Sequence, residues 1–155
     1  MFLTADQLLA HVVGDFFLQS DWMALNKKDR ALPCLIHVLL YGLPFLFLTT
    51  SPAALAVIVG THFAIDHWNL ARYPIWLKNK VLGGSKPWRD CQATGFDPDR
   101  PIWHAVWLTI IVDNAIHIII NAAAIKWLTD ISSVGSSLIA VGVGCFLFAA
   151  IVMDQ

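Results

Sequence analysis

The sequence predicts an all-α fold, a polytopic transmembrane bundle of about five helices. Three observations carry that expectation. Hydrophobic side chains make up 57% of the chain and charged ones only 14%, whereas soluble domains run near 45–50% and about 25%. All eleven acidic residues are aspartates, so glutamate, a staple of solvated helix faces, is missing. Finally, four apolar stretches at about 33–50, 53–77, 102–127 and 134–153 approach or exceed the roughly 20 residues that cross a bilayer.

A fifth helix is expected at about 3–25. Phe2, Leu3, Leu8, Leu9, Val12, Val13, Phe16 and Phe17 give it an apolar surface, while Thr4, Gln7, His11, Asp15 and Gln19 recur at three- and four-residue spacing. That polar stripe must face protein rather than lipid. A cleaved signal peptide fits poorly, because no Lys or Arg precedes the apolar part. Pro33, Pro52 and Pro101 stand near the starts of three later helices, where a missing N–H costs nothing, and Ser51 can cap one of them. In the last helix Ser136, Ala140 and Gly144 repeat every four residues, a small-residue seam for close helix approach. The connection at 78–101 is rich in Gly, Pro, Trp and charge, and reads as a cytoplasmic loop able to meet lipid headgroups. No internal repeat breaks the chain, so residues 1–155 are expected to form a single transmembrane domain.

Charge sets the expected orientation. Nine of the ten Lys and Arg fall in or beside the first and third connections, and only Lys126 lies on the other side. The positive-inside rule then leaves the N-terminus outside and the C-terminus in the cytoplasm. Ten basic against eleven acidic residues leave no positive excess for nucleic acid. Cys34, Cys91 and Cys145 are scattered in no metal-ligand spacing.

The chemistry lies in histidines and aspartates that a bilayer should exclude. An ionisable side chain at mid-membrane costs about 2.5–3.5 kcal/mol even on a lenient scale. Here His11 pairs with Asp15, His62 with Asp66 and Asp113 with His117, each four residues apart, and His37 stands alone. Residues so spaced project from one helix face. Measured from the outer ends, His11 and Asp15 fall about 13–20 Å down, His62 and Asp66 about 15–20 Å, His37 about 20 Å, and Asp113 and His117 about 16–22 Å. Helix direction alternates, and the third pair, Asp113 before His117, reverses its order to match. One polar layer is expected.

Imidazole with carboxylate suits a divalent transition metal, zinc first, as one or two ions. The ligand set is then His11, Asp15, His37, His62, Asp66, Asp113 and His117, with Asp15, Asp66 and Asp113 as candidates for the catalytic base. A proton or ion pathway, or His–Asp bonds that only hold helices together, remain open. His67, pointing about 100° away from Asp66, and His104 at a helix mouth read as supporting or interfacial.

The run His11-x3-Asp15-Phe16-x-Leu18-Gln19-x-Asp21-Trp22, with Lys27 and Lys28 after it, resembles the N-terminal signature of domain of unknown function 3307. His62-Phe63-x2-Asp66 and Asp113-Asn114-x2-His117 resemble its later motifs, although the family often has Gln where this chain has Asn114. The likeness extends to about residue 128. It implies a small multi-pass protein of the bacterial inner membrane, often phage-encoded, and brings no established activity. The His/Asp pattern is also similar in style to metal-dependent inner-membrane hydrolases.

The leading expectation is therefore a membrane-embedded metal hydrolase of a lipid-linked or amphiphilic ester or phosphoester. A proton- or metal-ion-translocating bundle, and a phage accessory protein that binds a host membrane partner, are the alternatives. Membrane lipid and a lipid-linked substrate are the expected partners, with a homo-oligomer open and nucleic acid excluded.

Overall fold

The computed structural model describes residues 2–84, 86–131 and 133–154. Among them the chain is helical, with eight α-helices and no strand. They gather into two compact units, Met1–Trp68 with His117–Gln155, and Asn69–Ile116.

In the first unit α1 (Ala5–Val12) starts on a capping box. Thr4 Oγ1 accepts from the Gln7 amide and Gln7 Oε1 from the Thr4 amide, at 3.4 and 3.2 Å, so two unpaired donors are satisfied together. The helix widens into a π turn at Val13–Phe17 and stops. Ser20 then caps α2 (Asp21–Asn26), its Oγ accepting from the Met23 amide. The expected helix at 3–25 is thus two helices with a break at 18–20. Helix α3 (Ala31–Gly42) has no side-chain cap from Arg30. Instead the Ala31 amide donates to Asp154 Oδ2 at 2.6 Å, a carboxylate placed at the positive end of a helix dipole. A 3₁₀ turn, Leu43–Phe47, follows with Pro44 near its start.

Helix α4 (Pro52–His67) begins at Ser51, whose Oγ accepts from the Ala54 amide and donates to the Leu128 carbonyl. It ends where Asn69 takes a left-handed φ of 49°, a conformation Asn tolerates and that stops a helix. The expected helix at 53–77 is therefore divided, and its remainder belongs to α5 (Arg72–Gly83).

Helix α6 (Trp88–Cys91) is short, and α7 (Ile102–Leu128) and α8 (Ser133–Met153) are long. At 27 and 21 residues, α7 and α8 are long and apolar enough to cross a membrane. Ala31–Phe47 is apolar but shorter, and the 16 residues of α4 rise only about 24 Å. Five full-length spans are not what the described residues form.

Helix α8 lies along α4. Gly60 permits the approach, because a Cβ there would stand 2.6 Å from Val143 Cγ1. Ser136 is buried and its hydroxyl accepts from the Ala53 amide at 2.9 Å. Gly144, expected in the same seam, faces open space instead. Steps of four drift by about 40° each against a 3.6-residue turn, so the contact face continues through Val143, Leu147 and Ala150. Two apolar clusters fill the unit, one around Tyr41, Phe45 and Ile58, the other around Cys34, Val38 and Phe63. Many large apolar residues face outward, among them Leu9, Phe17, Leu25 and Phe47.

The second unit turns the expected loop at 78–101 into ordered structure. Arg72 donates to the Gln92 carbonyl at 3.0 Å, and Tyr73 stacks on Trp88 with ring centroids 4.9 Å apart. Gly95 has φ +74°, and any Cβ there would strike the Arg72 carbonyl. Lys86 bonds to Asp99 and lies 3.4 Å from Asp97. Those carboxylates, Asp99 foremost, hold its ammonium above the ordinary lysine range.

Candidate metal centre

Four elements of the first unit deliver the site. On α1 and its π turn, His11 and Asp15 are both buried. The π turn inserts an extra residue into the helical circuit, re-aiming Asp15, and such turns recur at functional sites. Gly14, between them, admits α3 from the side. A Cβ at Gly14 would stand 2.7 Å from the Tyr41 ring and 2.8 Å from the Tyr41 carbonyl oxygen. Helix α3 contributes His37, and α4 contributes His62 and Asp66 one turn apart.

One donor atom from each of Asp15, His37, His62 and Asp66 lies within 4.8 Å of the others. The two imidazole Nε2 atoms are 3.1 Å apart. His37 Nε2 lies 3.3 Å from both Asp15 Oδ1 and Asp66 Oδ2. His62 Nε2 is 3.6 and 3.2 Å from the same two oxygens. Bonds of 2.0–2.2 Å about a tetrahedral ion place ligand atoms roughly 3.3–3.6 Å apart. The five spacings that involve an imidazole run from 3.1 to 3.6 Å, at or just under that figure. Hydrogen bonding alone satisfies the group poorly, since a neutral imidazole has a single N–H while each Nε2 here faces three partners. A cation at the centre meets all four atoms at once, so the cluster can hold a metal ion.

Packing fixes the imidazoles. His62 lies between the Tyr41 ring, 3.8 Å away by centroid, and the His117 ring, stacked at 3.9 Å and 17°. The Nδ1 atoms of His37 and His62 have no hydrogen-bond partner among the described residues. Their orientation therefore comes from ring contacts rather than from acceptors behind them, the more usual arrangement.

The remaining expected ligands occupy different places. His117 Nε2 stands 3.4 Å from Asp66 Oδ1, so it meets the carboxylate on the oxygen that the four-atom group does not use. His11 is set back. Its Nε2 is 4.0 Å from Asp15 Oδ2, and its Nδ1 shares a hydrogen bond of 2.9 Å with the Tyr41 hydroxyl. Asn121 Nδ2 donates to that same hydroxyl at 2.5 Å. Asp113 precedes His117 by one turn of α7 and falls among the residues of the second unit.

Two residues at the site went unpredicted. Tyr41 follows His37 by four positions, so the spacing that identified the His–Asp pairs also points to it. Lys27 places Nζ 2.7 Å from Asp66 Oδ2, and no spacing rule announces it, because it reaches the site across the break that follows α1. His67 also finds a role, its Nδ1 bonding the Lys27 carbonyl at 2.9 Å.

The chain belongs to the family described as "Protein of unknown function (DUF3307)", whose model matches residues 3–143. No curated protein and no solved structure matches it.

Proposed function

We propose that this protein is a membrane-embedded, metal-dependent hydrolase acting on a lipid-linked or amphiphilic ester or phosphoester. The single observation that carries this reading is the near-tetrahedral spacing of Asp15, His37, His62 and Asp66. A divalent ion, zinc by preference, suits two imidazoles and two carboxylates. Catalytic sites keep one corner for water. Asp15 is the candidate to leave that corner and serve as base, because its side chain is the most accessible of the four, 9% exposed against 3% or less. Such an ion brings the pKa of a water toward about 7. Asp15 then takes the water proton as the water oxygen attacks the ester centre, and the proton returns to the departing alkoxide. His117 beside Asp66 and His11 beside Asp15 are proposed as ligands of a second ion or as supports of the first.

A groove of about 620 Å³ supports an amphiphilic substrate. Leu9, Ala10, Val13, Leu43 and Phe47 are among its walls. Helix α1 and its π turn thus contribute residues to both groove and metal site, and the groove is proposed to take the alkyl chain. Membrane integration through α7 and α8 is supported by their length and by the outward-facing apolar residues, and a multi-pass place in the bacterial cytoplasmic membrane is part of the same proposal.

Metal analysis tests the reading. Protein purified without chelator is expected to carry about one equivalent or more of a transition metal, and less than about a tenth of an equivalent overturns it. A relay for protons or ions is the second reading, favoured by the run of contacts at 3.3–3.4 Å from Asp15 through His37 and Asp66 to His117. In that case liposomes show pH-driven flux that His62→Ala abolishes.

A further inference from the structure

We propose that α5 is an interfacial helix whose outward face lies on a bilayer surface bearing anionic lipid headgroups. The inference goes beyond the hydrolase reading and needs no metal. It rests only on the membrane integration of α7 and α8 proposed there.

The sequence of α5 divides it into two faces. At about 100° per residue, Ile75, Asn79, Arg72 and Trp76 share one side, and all four are buried or half-buried. That side packs on its own unit. Arg72 donates to the Gln92 carbonyl at 3.0 Å, and Trp76 Nε1 donates to the Lys86 carbonyl at 3.2 Å. Tyr73, Leu77 and Val81, four residues apart, run along the other side and are 46%, 57% and 72% exposed. A contiguous apolar stripe left outside marks an interaction face.

Charge names the occupant. Lys80 borders the stripe on one edge and Lys78 on the other, both exposed, and α5 carries no acidic residue. Lysines in those positions lay their methylene stems along the stripe and lift their ammonium groups to the headgroup level. A plane of anionic headgroups meets both edges at once, as an apolar protein partner does not. The same unit also holds the start of α7, where Trp103 and Trp107 are both exposed, as in the aromatic belt of a membrane interface. Phe96 meets His104 with ring centroids 5.4 Å apart, and Gly95 beside it backs onto the Arg72 carbonyl. The segment packed behind α5 is thereby joined to the start of α7, where a bilayer surface is expected.

The test places the full chain, one copy per disc, in phosphatidylglycerol or phosphatidylcholine nanodiscs. Single added cysteines are labelled with a charged maleimide, and each site is read by peptide mass spectrometry. Leu77→Cys reports the outward stripe and Gln92→Cys the segment behind the helix. Both positions are exposed, so neither exchange opens the core. In phosphatidylglycerol, Leu77→Cys is expected to react at least about tenfold more slowly than Gln92→Cys, as for a side chain set into the headgroup boundary. Lys78→Gln with Lys80→Gln should restore about fivefold or more of that rate, since each lysine near an anionic surface is worth about that factor. Equal rates for the two cysteines in loaded discs overturn the proposal alone. Equal protection of Leu77→Cys in both lipids, unchanged by loss of the two lysines, contradicts the anionic surface and assigns the cover to protein. Failure of the chain to enter either disc removes the membrane reading and this proposal with it. A second measurement needs no variant: hydroxyl-radical oxidation of Tyr73 should be at least about threefold lower in phosphatidylglycerol than in phosphatidylcholine, and equal oxidation contradicts the proposal.

Discussion

Each of the two units holds a lysine paired with aspartate, and the two arrangements differ in kind. Lys86 bonds to Asp99 and approaches Asp97 with side chains 37%, 75% and 24% exposed. Water can replace either partner there, so the pair is a surface ion pair of little weight. Lys27 meets Asp66 with 14% and 3% exposure, and the same carboxylate faces three imidazoles. Water cannot compensate the loss of a partner there. Charge at an exposed position is decoration that the fold can spare, whereas charge at a buried position binds the surrounding helices to one geometry.

Substitutions can break this contrast. The largest effect is expected from Asp66→Asn, which strands the Lys27 ammonium and removes a metal donor. Breaking a buried pair from one side costs about 3–5 kcal/mol, to be read as a lowered melting temperature in detergent with metal below a tenth of its parent level. Gly14→Ala comes next. Its added methyl meets the Tyr41 ring and carbonyl, and overpacking of this kind costs about 1–3 kcal/mol. Because Tyr41 flanks His62, metal affinity should fall together with stability when both are followed in one titration. The smallest effect is expected from Lys86→Ala, where melting temperature and metal content should both match the parent. A Lys86→Ala loss as large as that of Asp66→Asn would erase the distinction between the two regions.

Much of the site was legible because helices write their faces into the sequence. His62 and Asp66 four apart, and His11 and Asp15 likewise, could only be brought inward once a bilayer or a core excluded them from the outside. Asp15 and His37 belong to different helices, and the shared depth of the polar positions was enough to join them. What escaped depends on departures from the ideal helix. The π turn at Val13–Phe17 has no simple residue signature, yet it sets the aim of Asp15, and the close approach of Tyr41 requires glycine at position 14. The left-handed Asn69 divides a stretch that reads as continuous by hydropathy. Gly144 illustrates the same limit, since a four-residue repeat looks like a seam until the 3.6-residue pitch carries it off the face. Lys27 was hidden for another reason. It reaches Asp66 by tertiary folding after the chain breaks at 18–20, and a charged residue after a helix end is ordinarily read as solvent-facing.

The most direct test of the central claim is the X-ray absorption spectrum at the metal edge of chelator-free, detergent-solubilised protein. Two imidazoles and one or two carboxylates predict a first shell of nitrogen and oxygen at about 2.0–2.2 Å with outer-shell imidazole scattering. That imidazole signal should be lost in His37→Ala. A shell of oxygen alone, or an imidazole signal that survives both His37→Ala and His62→Ala, would contradict a metal held by the cluster.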